Sequence, residues 1–164
     1  MEEGLKKYLP LAGGALTGNV TASSGVTIDT VDVSAHAADG SAHQSNTVDL
    51  EFSLGDGVNA ITVGLQYYAQ IDFACTIVAA KLLGKESGSV VVDIWKRAYA
   101  DFPPTDAQSI TASAPPTLTT AQKVEDTTLT GWTKTIAAGD VLGFNVDSVT
   151  TITQVTLVLK VTKT

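Results

Sequence analysis

Apolar and polar residues alternate with a period of two over much of the chain after residue 46. In the first such segment, four apolar residues alternate with three polar ones: Val48, Asp49, Leu50, Glu51, Phe52, Ser53 and Leu54. This period is typical of a β-strand with one face on a hydrophobic core. Further strands are predicted at residues 61–65, 67–73, 76–83, 90–95, 127–136, 142–146 and 155–161. Roughly eight strands at this spacing predict an antiparallel β-sandwich.

Two stretches interrupt the alternation. Residues 84–88 contain two glycines and predict a loop that closes the strand at 76–83. Residues 99–125 are rich in Pro, Thr and Ala, and predict a long loop in which 105–109 or 120–126 would form a helical turn. Because a long loop in a compact domain is more often functional than idle, this loop is the first place to look for a binding site.

The N-terminal third has a different composition. Residues 12–46 are almost entirely small or polar, with Leu16 and Ile28 as the only larger aliphatic side chains. Such a segment cannot bury enough apolar area to offset its ordering entropy, so it is either disordered or ordered by other chains. Short apolar pairs recur in it at strand spacing, and three copies wound together would bury them: Val26, Ile28, Val31 and Val33.

Composition and charge exclude several classes of function. The chain has 164 residues, of which 17 are acidic and 10 basic, giving a net charge of −7. This balance argues against electrostatic binding to nucleic acid. No apolar run approaches the roughly 18 residues that span a bilayer, and no secretory signal is expected from the first residues. The 23 threonines favour strands, and the single Cys75 is expected to be a small buried residue among apolar neighbours.

Residues 9–20, LPLAGGALTGNV, resemble the LPLxGGxLTGN segment of tailed-bacteriophage fibre proteins. Residues 25–36, GVTIDTVDVSAH, also resemble phage fibre sequence. The C-terminal part is similar to the terminal domains of phage fibre and receptor-binding proteins, through short segments within residues 92–146.

The resemblance implies a homotrimeric virion fibre with an all-β fold. An extended attachment arm (residues 1–20) would lead into an intertwined shaft (residues 21–46) and a jelly-roll-like antiparallel β-sandwich knob (residues 47–164). The knob would contact a glycan or protein of the bacterial surface, with no nucleic acid, membrane insertion or cofactor involved. The alternative is a head fibre or capsid decoration protein with a structural or weakly adhesive role, which the short length favours.

The N-terminus carries the bulky apolar residues of the expected attachment arm: Leu5, Tyr8, Leu9 and Leu11. These side chains could insert into a groove on another virion protein. They could equally pack against one another where the trimeric shaft begins, and the sequence does not separate the two interpretations.

The expected receptor-binding residues are Trp95, Tyr99 and Phe102, with Tyr68 as a further aromatic residue and Asp93 as a carboxylate beside them. Strand parity places Trp95 and Asp93 on the side opposite Ile94, which would expose them. Aromatic rings beside carboxylates suit sugar recognition, since a ring covers C–H faces while polar groups bind hydroxyls. The alternative is that Trp95 packs against the 99–125 loop or a neighbouring subunit, because Trp is highly buried on average.

His36 and His43 are the only histidines, seven residues apart. On a three-fold axis each could form a ring of three imidazoles able to hold a metal ion. The alternative, two solvated histidines in a linker, requires no ligand, and no metal is expected. Since neither histidine lies where a scaffold would hold a triad, and no glycine-rich phosphate loop occurs, the sequence predicts no enzyme activity.

Overall fold

The computed structural model describes residues 46–164 and, further towards the N-terminus, two short strands. These are β1 (Thr27–Ile28) and β2 (Val31–Asp32), which pair antiparallel with Ile28 opposite Val31. The chain divides into two units after Ser45. The expected burial of the shaft side chains, including those of Val26 and Val33, lies outside the described residues.

Residues 46–164 form an all-β unit, as the alternation predicted. Its strands are β3 (Thr47–Leu54), β4 (Gly64–Ile71), β5 (Cys75–Ala98), β6 (Thr117–Asp126), β7 (Thr135–Ile136), β8 (Asp140–Thr150) and β9 (Val155–Lys163). Two short 3₁₀ helices, Tyr99–Asp101 and Asp106–Gln108, follow β5, and residues 46–164 contain no α-helix.

All the strand pairs are antiparallel, in the order β3-β9-β5-β8-β4. The first half of the long strand β5 pairs with β9 and its second half with β8. Strand β6 pairs with the middle of β5, along the edge that β9 and β8 leave free. Phe52 on β3 lies 4.4 Å from Phe144 on β8, and 6.4 Å from Tyr67 on β4, between ring centroids. Because β3 and β4 are the two ends of this order, these ring contacts show that the sheet curls until its ends meet.

Strand β3 confirms the alternation predicted for it. Phe52 and Leu54 are buried and Glu51 and Ser53 are exposed, so one face of the strand lies on the core. Most residues of the core come from β5, β8 and β9, Phe144 among them, and Phe52 and Leu54 of β3 belong to the same cluster. Cys75, at the start of β5, is fully buried in this core, as expected.

The predicted loop at residues 84–88 is wrong, because β5 continues through it as one strand of 24 residues. Glycine is required there by close approach of neighbouring backbone. A Cβ on Gly88 would lie 2.6 Å from the carbonyl oxygen of Thr150, and one on Gly84 would lie 2.9 Å from that of Glu86. Gly88 therefore lets β5 pass close to β8, Gly84 leaves room for the backbone of β5 itself, and neither glycine ends the strand.

Three other sequence predictions are corrected. Residues 61–65 are mostly loop, since β4 begins only at Gly64, and 127–136 contain turns and the two-residue strand β7. Within the predicted loop at 99–125, residues 117–126 form β6, so the helical turn considered at 120–126 is wrong. Strand β6 is mostly exposed, and this is why its sequence lacks the apolar alternation. The turn considered at 105–109 is confirmed by the 3₁₀ helix Asp106–Gln108.

Candidate functional site

Three aromatic rings wall a groove on the outer side of the β4–β8 pair. It has a volume of about 420 Å³ and is lined by Tyr68, Gln70, Tyr99, Phe102 and Val141. This volume falls within the roughly 300–1,000 Å³ of known small-molecule sites. We call these five residues the aromatic groove.

Strands β4 and β8 build the floor of the groove. Tyr68 and Gln70 are two residues apart on β4, so their side chains leave the same face of the sheet. In the antiparallel register Tyr68 lies opposite Gly143 and Gln70 opposite Val141. A Cβ on Gly143 would lie 3.2 Å from Cε1 of Tyr68, so the tyrosine ring rests on strand β8 where the side chain is missing.

The chain that follows β5 supplies the other two rings. Tyr99 lies in the first 3₁₀ helix, and the backbone N–H of Phe102 donates to the carbonyl oxygen of Tyr99 over 3.2 Å. The Phe102 ring meets the Tyr68 ring edge to face, with 4.8 Å between centroids. Pro104 is buried, and its Cγ would lie 3.3 Å from a Cβ on Gly143. These contacts hold the loop against the sheet.

The two loop rings are largely open to solvent. Tyr99 is 68 % exposed and Phe102 is 50 % exposed, although both are large hydrophobic side chains. Single exposed hydrophobic residues are common, but rings grouped around a concave surface mark a binding site more often than chance exposure.

An ion pair lies at the start of β8, the strand that carries Val141. Lys96 on β5 donates to the carboxylate of Asp140 over 3.0 Å, and the same carboxylate oxygen accepts the backbone N–H of Ala137 over 2.9 Å. Asp140 is buried and precedes Val141, the groove residue on β8. Both charges of the pair are therefore used within the fold, and they fix the start of β8.

Asp93 and Trp95 do not line the aromatic groove. The predicted exposure of Asp93 is wrong: the residue is 8 % exposed, because residues 109–111 lie along β5 at this point. The backbone of Trp95 pairs with that of Ser109, and the N–H of Ile110 donates to the carbonyl oxygen of Ile94 over 2.8 Å. Trp95 itself is half-buried beside this segment, which is the neighbour that the alternative interpretation gave it.

A second groove, of about 350 Å³, lies in the loop between β3 and β4. Its carboxylate, Asp56, caps this loop by accepting hydrogen bonds from the backbone N–H groups of Val58 and Asn59, both at 2.8 Å. The side-chain amide of Asn59 also donates to it, over 2.7 Å. These donors, the Asn59 side chain first, lower the pKa of Asp56 to about 2. The carboxylate is thus a turn-forming group rather than a free ligand.

A third groove, of about 320 Å³, runs between β5 and β6. It is lined by Lys81, Leu83, Lys123, Val124 and Glu125, and Lys81 pairs with Glu125 at 3.5 Å. Three of these five residues carry flexible charged side chains, and none is aromatic. It resembles an ordinary exposed strand pair more than a binding site.

The remaining predicted site residues lie outside the described part of the chain. These are the attachment residues Leu5, Tyr8, Leu9 and Leu11, and the two histidines, His36 and His43. Among the residues that the structure does describe, no group of three or more His, Cys, Asp or Glu could hold a metal ion. In the same part of the chain, no helix has the length and apolar character needed to cross a membrane.

The sequence identified two of the five groove residues as site residues, Tyr99 and Phe102, and noted Tyr68 as a neighbouring aromatic. The period of two in β4 would also have indicated Gln70, since it shares a face with Tyr68. Val141 joins them only through the pairing of β4 with β8, and no local pattern reveals that register.

Comparisons with known proteins add no assignment to this geometry. The chain matches no protein-family model, no curated protein and no solved structure.

Proposed function

We propose that this chain is a trimeric fibre component of a tailed-phage virion, whose C-terminal β-unit contacts the bacterial surface. The observation that carries the host-contact role is the aromatic groove, in which Tyr99 and Phe102 present exposed rings on a braced loop. The fibre motif at residues 9–20 supports the assignment to a virion. The role needs no chemistry, and we propose no enzyme activity.

In this proposal the curled sheet is a jelly-roll-like β-sandwich knob. The contact between Phe52 and Phe144, at 4.4 Å, is of the kind expected where two layers of a sandwich pack face to face. The N-terminal third is the attachment arm and shaft, with Leu5, Tyr8, Leu9 and Leu11 docking into another virion protein.

Adsorption competition tests the host-contact role. The purified full-length chain is added to host cells before the phage, and we expect it to reduce phage adsorption as its concentration rises. The Val58→Ala variant is the control, because Val58 is an exposed residue of the β3–β4 loop, away from the groove. Undiminished adsorption at saturating protein would contradict the proposal.

Labelling the chain on intact virions separates the two proposed positions. We expect electron microscopy with a specific antibody to show label at the tail. Label on the capsid would favour the head fibre or decoration protein instead.

The trimeric shaft makes a separate prediction. Val26→Asp or Ile28→Asp would bring three carboxylates together around the proposed axis, and their desolvation and repulsion would cost several kcal/mol. We expect light scattering to show monomers, with the circular dichroism of the C-terminal β-unit retained. A trimer of unchanged mass in both variants would refute the intertwined shaft.

A further inference from the structure

The aromatic groove differs in chemistry from the two other grooves described above. The groove in the β3–β4 loop has Asp56 and Gln66 in its wall, and that along β6 has lysines and a glutamate. The aromatic groove has three rings, one amide and one valine, and none of its lining residues is acidic or basic. It is therefore suited to a ligand with apolar faces and no charge of its own.

A pyranose ring meets that description. Its axial C–H groups form apolar patches that pack on the faces of aromatic rings, whose π-systems attract the partly positive hydrogens. Its hydroxyl groups need hydrogen-bond partners, which the Gln70 amide and the phenol groups of Tyr68 and Tyr99 supply as both donors and acceptors. The groove thus contains both halves of what a sugar needs.

Charge selects among sugars. The chain carries a net charge of −7. Of the two basic residues nearest in sequence to the groove, Lys96 is paired with Asp140, and Arg97 lies on β5 opposite Val141 but is not among the lining residues. Asp101 lies between Tyr99 and Phe102 in sequence and adds a negative charge to the segment that carries the two loop rings. An acidic polysaccharide would approach a chain of net negative charge and find no cation among the lining residues, whereas a neutral sugar needs no such partner.

The groove is also braced before any ligand arrives. The edge-to-face contact of Phe102 with Tyr68 and the buried Pro104 hold the loop against the sheet, and the ion pair of Lys96 with Asp140 fixes the start of β8. Since rigid side chains lose little entropy on binding, a small ligand retains more of its contact energy in such a site.

We propose that the groove formed by Tyr68, Gln70, Tyr99, Phe102 and Val141 binds a neutral pyranose of a bacterial surface glycan. This rests on the proposed host-contact function and names the ligand class and the residues that bind it. It moves the expected binding site from β5, where Asp93 and Trp95 lie, to the pair formed by β4 and β8.

Saturation-transfer NMR on the full-length chain tests the site. The probes are the methyl glycosides of glucose, galactose and N-acetylglucosamine, with glucuronic and sialic acid as charged comparators. We expect saturation to reach the C–H protons of at least one neutral probe. Tyr99→Ala and Phe102→Ala should each weaken that binding by about tenfold, the worth of one well-placed aromatic contact. Tyr99→Phe should retain most of it, because the ring remains.

Val58→Ala is the matched surface control, and we expect its binding to equal that of the wild type. Tyr99 is mostly exposed, so its variants should fold, and the unchanged circular dichroism of each variant is checked first. A phage-adsorption competition with the same variants is run in parallel.

The outcomes separate this site from the wider function. If the wild type competes for adsorption and the Tyr99→Ala and Phe102→Ala variants compete equally well, the groove is wrong and the host-contact function stands. Binding confined to the charged sugars, or to a host protein with no glycan, would also overturn the neutral-sugar assignment. If the wild type does not compete at all, the proposed function itself fails.

Discussion

Replacing Asp93 tests how the loop beside β5 is held in place. One carboxylate oxygen of Asp93 accepts the backbone N–H of Ile94 and the hydroxyl of Ser109, both at 2.7 Å, and the hydroxyl of Thr111. The other accepts the indole N–H of Trp95 at 2.8 Å. This single buried side chain therefore accepts from four donors, of which the hydroxyls of Ser109 and Thr111 join β5 to residues 109–111 and the other two lie on β5 itself.

The expected loss of unfolding free energy follows from the four donors that lose their acceptor. Asp93→Ala removes the acceptor for all four, and a hydrogen bond to a charged group is worth about 1.5–3 kcal/mol. Ser109 and Trp95 are half-buried and regain part of this from water, so we expect a loss of about 3–5 kcal/mol. Asp93→Asn keeps one oxygen for three donors and sets an amide against the indole N–H. We expect that change to cost about 1–2 kcal/mol.

Urea unfolding followed by circular dichroism, at one protein concentration, measures both losses. The matched control is Asp147→Asn, because Asp147 is exposed and accepts one side-chain hydrogen bond from Asn145 over 2.7 Å. It should change the unfolding free energy by less than about 0.5 kcal/mol. In a Trp95→Phe background, Asp93→Asn should cost less than in the wild type, since the mismatched donor is gone.

Two results would refute this account of Asp93. A loss below about 1 kcal/mol for Asp93→Ala would mean that the four donors find water as easily as the carboxylate. Equal losses for the Asn and Ala variants would mean that the number of acceptors does not set the cost.

Two further predictions concern single ionisable groups. The pKa of Asp56 is lowered from 3.8 to about 2, so its stabilising contribution is complete above pH 4 and is lost as the pH falls towards 2. A carboxyl-carbon NMR titration measures that midpoint directly, and a value near 3.8 would contradict the Asn59 contacts. Burial raises the pKa of the Cys75 thiol, so a disulfide reagent should label it only as fast as the protein unfolds. Rapid labelling of the native chain would disprove its burial.

The sequence predicts those strands that have one solvent-exposed face and one buried face. Strand β3 is an example, since Phe52 and Leu54 alternate with exposed polar residues and the hydrophobic effect alone sets their direction. Strand β6 has little buried apolar surface apart from Leu118, so its pairing with β5 leaves no periodic signal. Its place depends on backbone hydrogen bonds to a distant strand, and these are invisible in local composition.

Glycine caused the other main error. A pair of glycines commonly ends a strand, and Gly84 and Gly88 predicted a loop on that basis. In the structure Gly88 instead leaves space for the carbonyl oxygen of Thr150, within an unbroken strand. Whether a glycine turns the chain or admits a neighbour depends on tertiary contacts that one sequence does not contain.

The site was partly predictable for a related reason. Strand parity correctly places Asp93 and Trp95 on one face of β5, but parity does not tell what covers that face. Residues 109–111 cover it, and their hydroxyl groups use the carboxylate that sugar binding would have needed. Tyr99 and Phe102 were found because they lie in an irregular segment, where exposed rings have no core to enter.

The proposed groove and the proposed trimer explain each other. A shallow site with three rings binds one neutral sugar weakly, with a dissociation constant on the order of 1 mM, equivalent to about 4 kcal/mol. Three such sites on one fibre, facing a surface with many copies of the sugar, raise the overall avidity by about 10²–10⁴ without any new contact. The Ile28→Asp variant should therefore bind methyl glycosides as well as the wild type does, yet be retained poorly on cells. Equal retention of monomer and trimer on cells would mean that a single groove binds strongly enough alone. Avidity would then not explain the trimer.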